Sequence, residues 1–221
     1  MRDFRNIEDW RLYLVTDVKL SGGRSHEEIT RLAIAGGVDV IQLRDKTASS
    51  RELFEVGMIM RRLTREAKVA FIVNDRIDIA LAVDADGVHI GQSDMPVDVA
   101  RRFIGMDRIL GVSIGSVEEA RQAEQAGADL LSVSPVFEAR SSKPDAGEPH
   151  GLRLIRETKL ACSKPVMAIG GINGDNVAAV IQAGSCCASV ITAVLQAEDI
   201  PSAVWEMTKI IETAKSQEGK P

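Results

Sequence analysis

Eight short apolar runs divide the chain, and helical segments lie between them. Each run has four or five residues and is bounded by polar turn residues, which is typical of parallel strands covered on both faces. The predicted strands are residues 12–15, 38–41, 69–73, 87–90, 109–112, 130–133, 166–169 and about 187–191. Between them, a serine followed three residues later by glutamate predicts helix-capping boxes at Ser25, Ser49 and Ser116.

Strands that alternate with helices predict an α/β fold, and eight such units predict a single (β/α)8 TIM barrel over residues 1–221. A doubly wound open sheet is the alternative. Weak internal repetition supports the barrel, since Ala35-Gly36, Ala126-Gly127 and Ala183-Gly184 each stand at a helix-to-strand joint. The long polar segment 135–150 is predicted to be a mobile active-site loop.

Composition restricts the class of protein. Hydrophobic residues are 45% of the 221 positions and charged residues 27%, as in an ordinary globular chain. Because the first ten residues are rich in charge and no apolar run approaches the roughly eighteen residues of a membrane helix, we expect a soluble, cytoplasmic protein. The net charge of -5 argues against a general nucleic-acid binder, but it leaves room for a pocket that binds phosphorylated small molecules. Cys162, Cys186 and Cys187 are expected to be reduced core thiols.

Two neighbouring predicted strands end in carboxylate and amide groups. Asn74 and Asp75 follow residues 69–73, and Asp94 follows residues 87–90 after a short polar turn. Because the carboxyl ends of parallel strands meet at one face, Asp75 and Asp94 are expected to lie side by side. Such a pair suits Mg²⁺ when phosphate oxygens complete its coordination. Two solvated loop aspartates are the alternative.

The other polar residues at the strand ends offer charge for phosphate but few groups for proton transfer. His89 is the candidate base, although its place within a strand favours a structural or positioning role. Gly170-Gly171 and the residues after the eighth strand match the phosphate site that barrels build from their last two loops. Two phosphate sites imply two substrates or one bisphosphate. The predicted mouth residues are Thr16, Gln42, Arg44, Lys46, Asn74, Asp75, His89, Gln92, Asp94, Ser113, Ser134, Gly170, Gly171 and Thr192.

Six motifs, in order and at barrel spacing, resemble the thiamine-phosphate synthase family, whose superfamily also contains thiazole tautomerases. They are residues 12–17 (LYLVTD), 42–46 (QLRDK), 71–75 (FIVND), 86–94 (DGVHIGQSD), 111–113 (GVS) and 169–172 (IGGI). The resemblance covers nearly the whole chain. It implies a transferase that joins 4-amino-2-methyl-5-hydroxymethylpyrimidine diphosphate to 4-methyl-5-hydroxyethylthiazole phosphate. Thiamine phosphate and pyrophosphate would form by a magnesium-assisted dissociative displacement.

The resemblance also implies roles for individual residues. Asp75 and Asp94 would hold Mg²⁺. The pyrimidine diphosphate would be contacted by Gln42, Leu43, Arg44, Asp45, Lys46, Asn74 and Ser113. The thiazole phosphate would be held by Gly171, Ile191 and Thr192, with Ser141 and Ser142 nearby. Catalysis, by neutralising pyrophosphate and positioning the reactants, would fall to Arg44, Lys46, Ser113 and Lys143.

Two departures from the family pattern bear on function. The segment before Lys143 is one residue longer than usual, so the register of Ser141 and Ser142 at the thiazole phosphate is open. Gly115 stands where relatives commonly place a histidine that the tautomerases need, which favours the synthase. The alternatives are a tautomerase-like isomerase or another sugar-phosphate barrel enzyme, and a non-catalytic thiamine phosphate binding protein. The sequence also leaves a homo-oligomer open.

Overall fold

The computed structural model describes residues 6–139 and 147–217, in which parallel strands form a closed barrel surrounded by helices. Each strand pairs with its neighbours in sequence, and the first strand pairs with the last. In these residues the strands are β1 (Leu12–Val15), β2 (Val40–Leu43), β3 (Ala70–Asn74), β4 (Gly87–Ile90), β5 (Ile109–Ile114), β6 (Leu130–Val133), β7 (Val166–Ile169) and β8 (Cys187–Val190). The predicted barrel is confirmed, and the open sheet is wrong.

Helices cover the outside of the barrel. They are α1 (His26–Gly36), α2 (Ser50–Ala67), α3 (Ile77–Ala82), α4 (Val97–Ile104), α5 (Val117–Gln125), α6 (Gly151–Ala161), α7 (Val177–Gln182), α8 (Thr192–Leu195) and α9 (Ile200–Gln217), after a 3-10 helix at Ile7–Asp9. Ser25 and Ser116 each accept a hydrogen bond from the N–H three residues on, and Ser49 forms the full reciprocal box with Glu52. These serines fix the helix starts because they satisfy N–H groups that the first turn leaves without partners.

Three strands extend further toward the mouth than the apolar runs predict. Gln42 and Leu43 lie inside β2, Asn74 ends β3, and Ser113 lies within β5. The predicted ends were wrong because inward side chains near the mouth are polar, so the strand continues after its apolar pattern stops. Helix α8 was not predicted, since a single turn has too few residues to show a helical period.

Side chains alternate along each strand between two apolar layers. Inward residues such as Tyr13, Ile72 and Met167 fill the barrel, whereas outward residues such as Leu14 and Phe71 pack beneath the helices. The removal of this surface from water is the main stabilising term for the fold. The barrel that results is closed and filled by apolar side chains below its mouth.

Three aspartates at the amino ends of the strands share one arrangement. Asp39, Asp86 and Asp129 precede β2, β4 and β6, and each carboxylate accepts a main-chain N–H near the start of the preceding strand. Each carboxylate also pairs with an arginine, and we call these contacts the basal ion pairs: Asp39–Arg11, Asp86–Arg61 and Asp129–Arg101. Charge at this end is therefore compensated within the chain.

The cysteines are unpaired, as predicted: Cys186 and Cys187 are buried, and Cys162 is half-buried. No helix within residues 6–139 and 147–217 has both the length and the hydropathy needed to cross a bilayer.

Candidate active site

The carboxyl ends of the strands surround an open cavity of about 440 Å³. Right-handed crossovers place all these strand ends at one face, so residues far apart in sequence converge there. The lining comprises Val15, Gln42, Arg44, Lys46, Asn74, Asp75, His89, Gly91, Gln92, Ser93, Asp94, Ser113, Ile114, Gly115, Glu119, Ser132, Ser134, Met167, Ile169, Ser189 and Ile191. Most of the mouth residues predicted from sequence are present in this cavity.

Asp75 and Asp94 lie together, as predicted. Their carboxyl groups are close enough to hydrogen-bond each other, and Lys46 Nζ lies 2.5 Å from Asp75 Oδ2. Asp75 has φ = 58°, a left-handed conformation that aspartate adopts more readily than most residues. Its N–H donates to the carbonyl of His89 at 2.8 Å, which ties the end of β3 to β4. The turn at Asp75 thus holds the two carboxylates at adjacent strand ends.

The pKa of Asp94 is raised above its ordinary value. Burial is the largest cause, and the hydrogen bond with Asp75 and its negative charge raise the pKa further. The Gly91 N–H, 2.7 Å from Asp94 Oδ2, and the Lys46 ammonium act in the opposite direction. Ionisation of Asp94 is therefore unfavourable in the protein alone, and a cation between the carboxylates would remove that penalty.

The donor atoms fit magnesium. Within the part of the chain that the structure describes, no cluster of three or more His, Cys, Asp or Glu side chains could hold a metal. A pair of carboxylates matches Mg²⁺, which is usually bound through one or two carboxylates while water and substrate phosphate supply its other ligands. Zinc does not fit, since its sites use three or four protein ligands rich in nitrogen and sulfur.

Charge in the cavity is unbalanced. The described lining has two cationic side chains, Arg44 and Lys46, and three carboxylates, Asp75, Asp94 and Glu119. A diphosphate that entered this cavity would meet excess negative charge, so these residues alone do not neutralise it.

Arg44 is held in place by the end of β1. Its Nη1 lies 2.5 Å from Asp17 Oδ2, and its main-chain N–H lies 3.4 Å from Thr16 Oγ1. The same Thr16 hydroxyl lies 2.8 Å from Nδ1 of the buried His26. Burial lowers the pKa of His26, against the opposing effect of Asp45, whose carboxylate lies 3.7 Å from Nε2. Sequence reasoning missed Asp17 and His26 as supports of Arg44, because no local pattern reveals partners so far apart in the chain.

Leu43 and Asp45 are not among the described residues that line the cavity, and their predicted substrate contacts stay predictions. Leu43 is 1% exposed and packs in the outer apolar layer, because it alternates with the inward Gln42. Asp45 Oδ1 accepts hydrogen bonds from the Thr47 N–H, the Thr47 hydroxyl and the Ala48 N–H. It therefore shapes the loop that leads into α2.

Gln42, Asn74 and Ser113 lie in the cavity as predicted, and buried partners orient two of them. Gln42 Nε2 donates to the Tyr13 hydroxyl at 2.7 Å, and Ser113 Oγ lies 3.0 Å from His89 Nε2. His89 is buried, lines the cavity and contacts Ser113, so it can orient this hydroxyl, and its positioning role stays a prediction.

The Gly170-Gly171 turn has a packing requirement of its own. Both residues have positive φ, 106° and 64°. A Cβ on Gly170 would lie 2.7 Å from Pro135 Cβ, and one on Gly171 would lie 2.6 Å from the Glu138 carbonyl oxygen. The glycines thus allow the loop after β6 to pack against the end of β7. Ile191 lines the cavity and precedes Thr192, the first residue of α8, whereas Gly170, Gly171 and Thr192 are not among the described lining residues. The predicted phosphate residues thus follow two paired strands, β7 and β8.

Both ends of the predicted mobile loop are anchored by main-chain hydrogen bonds. The N–H groups of Val136 and Phe137 donate to the carbonyls of Ile169 and Gly170, and the His150 N–H donates to Pro135. Residues 140–146 lie outside the described residues. Ser141, Ser142 and Lys143 are among them, so their predicted phosphate contacts and the mobility of the loop stay predictions.

The position of Gly115 is constrained by His150. A Cβ at Gly115 would lie 3.1 Å from His150 Nε2, so a larger side chain would require this ring to move. The Gly115 N–H donates to Glu119 Oε2 at 2.7 Å. With His150 in this position, glycine is the residue that fits at position 115 without a shift.

Comparisons with known proteins agree with the resemblance. A profile of the family described as thiamine monophosphate synthase matches residues 12–194, which include every strand of the barrel. The thiamine-phosphate synthase of Moorella thermoacetica is 51% identical over 96% of this chain and 100% of its own. That of Chloroflexus aurantiacus is 49% identical over 96% of this chain and 97% of its own.

Among solved structures, thiamine phosphate pyrophosphorylase from Pyrococcus furiosus is 43% identical and superposes with a TM-score of 0.87. The match covers 96% of this chain and 99% of that chain. Sequence and fold therefore agree over the same residues that build the cavity.

Proposed function

We propose that a magnesium ion held by Asp75 and Asp94 assists the reaction of this protein. The chain belongs to the thiamine monophosphate synthase family. It is a transferase that condenses a pyrimidine with a thiazole to form thiamine phosphate. The pyrimidine would enter as its diphosphate and the thiazole as its phosphate. Pyrophosphate would leave as the second product.

The observation that carries the magnesium proposal is the proximity of Asp75 to Asp94 in a cavity whose described lining has more carboxylates than cationic side chains. Arg44 and Lys46 alone would not neutralise a diphosphate beside the three carboxylates of this lining. One Mg²⁺ would satisfy both carboxylates and offer its remaining positions to phosphate oxygens, so that it stabilises the pyrophosphate as it departs.

The cationic side chains would hold the leaving group. Among the described residues, the Arg44 guanidinium contacts Asp17 through Nη1, and a guanidinium has further donors with which it can bind phosphate. Lys46 is 56% exposed and can move from Asp75 to a phosphate oxygen, a motion that an exposed lysine makes readily. Lys143 is proposed as a third cation at the pyrophosphate.

The scarcity of general bases is consistent with a dissociative displacement. The bond between the pyrimidine methylene carbon and the diphosphate oxygen would break first, and its electron pair would leave with pyrophosphate. The thiazole nitrogen would then donate its lone pair to the methylene cation. That nitrogen has no proton to lose, so the step needs positioning and charge stabilisation rather than a base.

The positions of the cavity residues indicate where the pyrimidine and the thiazole would bind. Gln42, Asn74 and Ser113 would contact the pyrimidine diphosphate, and Ser113 would be oriented by His89. Main-chain groups near Gly171, Ile191 and Thr192 would bind the thiazole phosphate, since the first N–H groups of α8 have no acceptor within their helix.

We also propose a cytoplasmic location, because the unpaired cysteines suit a reducing compartment. A homo-oligomer stays a prediction.

The test is incubation with both phosphorylated substrates, in magnesium or in excess chelator, with pyrophosphate and thiamine phosphate measured together. Equal amounts of both products should form with magnesium, and the rate should fall to background with chelator. An equal rate in chelator would contradict the magnesium proposal, and no product in either condition would contradict the reaction.

A further inference from the structure

Four polar side chains form one layer of the barrel directly below the mouth. In TIM barrels, inward residues of alternate strands lie at one height. The strand registers place Gln42 of β2, His89 of β4, Ser132 of β6 and Ser189 of β8 in such a layer. The layer beneath it, from the odd strands, has Tyr13, Ile72, Gly111 and Met167. A wholly polar layer is thus stacked on a largely apolar one.

The two halves of the polar layer differ in their hydrogen bonding. The long side chains have protein partners, since Gln42 contacts the Tyr13 hydroxyl and His89 contacts Ser113. Ser132 and Ser189 are both 0% exposed, and within residues 6–139 and 147–217 neither hydroxyl has a hydrogen-bond partner. Buried hydroxyl groups without partners cost free energy, so two in one layer require an explanation.

The location of these two hydroxyls explains why they have no protein partner. Among the described residues, Thr158 of α6 and Thr208 of α9 also have buried hydroxyls without partners, but neither lines the cavity. Ser132 and Ser189 are among the residues that line it, in the layer below the mouth. A cavity with a polar floor of this kind holds either ordered water or the polar edge of a ligand.

The distribution of charge in the cavity indicates where each part of a ligand would bind. Arg44, Lys46, Asp75 and Asp94 follow β2, β3 and β4, whereas Ser132 and Ser189 lie on β6 and β8, in another part of the described lining. The diphosphate belongs beside the charged residues, so the uncharged ring would lie toward the serines. A serine hydroxyl both donates and accepts, which matches the amino group and ring nitrogens of an aminopyrimidine. A thiazole offers fewer such groups.

We propose that Ser132 and Ser189 form a hydroxyl pair that recognises the hydrogen-bonding edge of the aminopyrimidine ring and thereby selects this substrate over analogues that lack it. This inference rests on the proposed function of the same cavity. A site that hydrogen-bonds a substrate group discriminates strongly against an analogue without it, because the buried site groups are then left without partners.

The test compares Ser132→Ala, Ser189→Ala and the double variant with the wild-type enzyme, using the natural pyrimidine diphosphate and an analogue without the amino group. Each single variant should raise KM for the pyrimidine diphosphate by about fivefold, with KM for the thiazole phosphate unchanged. The wild type should prefer the natural substrate over the analogue by at least about tenfold, and the double variant should lose most of this preference. Direct titration with the unphosphorylated hydroxymethylpyrimidine should show the same loss of affinity without any contribution from magnesium.

Thr208→Val is the matched control, since it removes another buried hydroxyl without a partner and should leave both KM values unchanged. Unchanged discrimination in the double variant would overturn the proposal. So would a drop in melting temperature with unchanged KM, which would show that the hydroxyls brace the barrel through water. Turnover by the wild-type enzyme distinguishes the two proposals. If the wild type shows no turnover, the proposed function is wrong. If it turns over but the double variant keeps its discrimination, only the proposal of the hydroxyl pair is wrong.

Discussion

The two ends of the barrel treat buried charge in opposite ways. At the amino ends, Asp39, Asp86 and Asp129 each accept a main-chain N–H and pair with an arginine. At the carboxyl ends, Asp75 and Asp94 lie against each other, and the pKa of Asp94 is raised. The charges of these three basal aspartates are compensated within the chain, whereas we propose that those of Asp75 and Asp94 are compensated by a bound cation.

The difference separates residues that stabilise the fold from residues that bind ligand. Breaking a compensated buried pair leaves a charge without a partner and destabilises the protein. Removing one of two repelling carboxylates relieves strain and costs function instead. Substitution of aspartate should therefore have opposite consequences at the two ends.

The largest effect is expected at the mouth. Asp75→Asn keeps the shape of the side chain and tolerates the left-handed backbone, but it removes a carboxylate from the proposed magnesium site. We expect kcat/KM to fall by about 100- to 1,000-fold, the usual loss when one group that stabilises transition-state charge is removed. Steady-state kinetics at saturating magnesium measures this, and a melting temperature near that of the wild type should accompany it.

At the base, Asp129→Ala should cost about 3 kcal/mol of unfolding free energy, because it leaves the buried Arg101 without its carboxylate partner and the Leu110 N–H without an acceptor. Activity of the folded enzyme should stay near normal. Urea denaturation followed by circular dichroism gives the free energy. Asp98→Ala is the control, because its pair with Arg102 is exposed and should contribute less than about 0.5 kcal/mol. Equal losses in the two variants would remove the distinction between the basal ion pairs and surface pairs.

A smaller effect is expected for Asp17→Asn, which weakens the support of Arg44 without touching the carboxylate pair. KM for the pyrimidine diphosphate should rise by about five- to tenfold, since one charge-assisted contact is lost. KM for the thiazole phosphate should not change. If both KM values rose together, Asp17 would be shaping the whole mouth rather than positioning Arg44.

The smallest effect concerns stability and pH in the metal-free protein. A carboxyl group with a raised pKa binds its proton more tightly in the folded protein than in the unfolded chain. Ionised Asp94 therefore lowers the free energy of unfolding at neutral pH. This destabilisation disappears as the pH falls toward the ordinary pKa of 3.8. Asp94→Asn should therefore raise the urea midpoint at pH 7, and the gain should shrink toward pH 4. A variant that is less stable than the wild type at both pH values would show instead that Asp94 supports the fold through Gly91.

Local sequence signals predicted much of the architecture. The reciprocal cap of Ser49 and Glu52 and the strand at residues 87–90 depend on neighbours in sequence, so their patterns are visible there. The adjacency of Asp75 and Asp94 followed from topology, since parallel strands end at one face. Strand ends at Gln42 and Asn74 were misplaced because a polar residue inside a barrel looks like a loop residue in the sequence.

Long-range partners could not be predicted in the same way. The contact of Asp17 with Arg44 joins residues 27 positions apart, and that of His26 with Thr16 depends on how α1 packs against β1. A serine in a strand looks the same in the sequence whether or not its hydroxyl has a hydrogen-bond partner. Ser132 and Ser189 could therefore be identified only from the three-dimensional structure. The compensation of a charge is a property of the packed structure.

The most direct test of the difference between the two ends is the binding of pyrophosphate, measured by titration calorimetry with magnesium and with chelator. The wild type should bind pyrophosphate at least about tenfold more tightly with magnesium, and Asp94→Asn should abolish that difference without loss of stability. Equal affinity of the wild type in magnesium and in chelator would contradict the claim that the mouth is completed by a metal ion and its phosphate ligand.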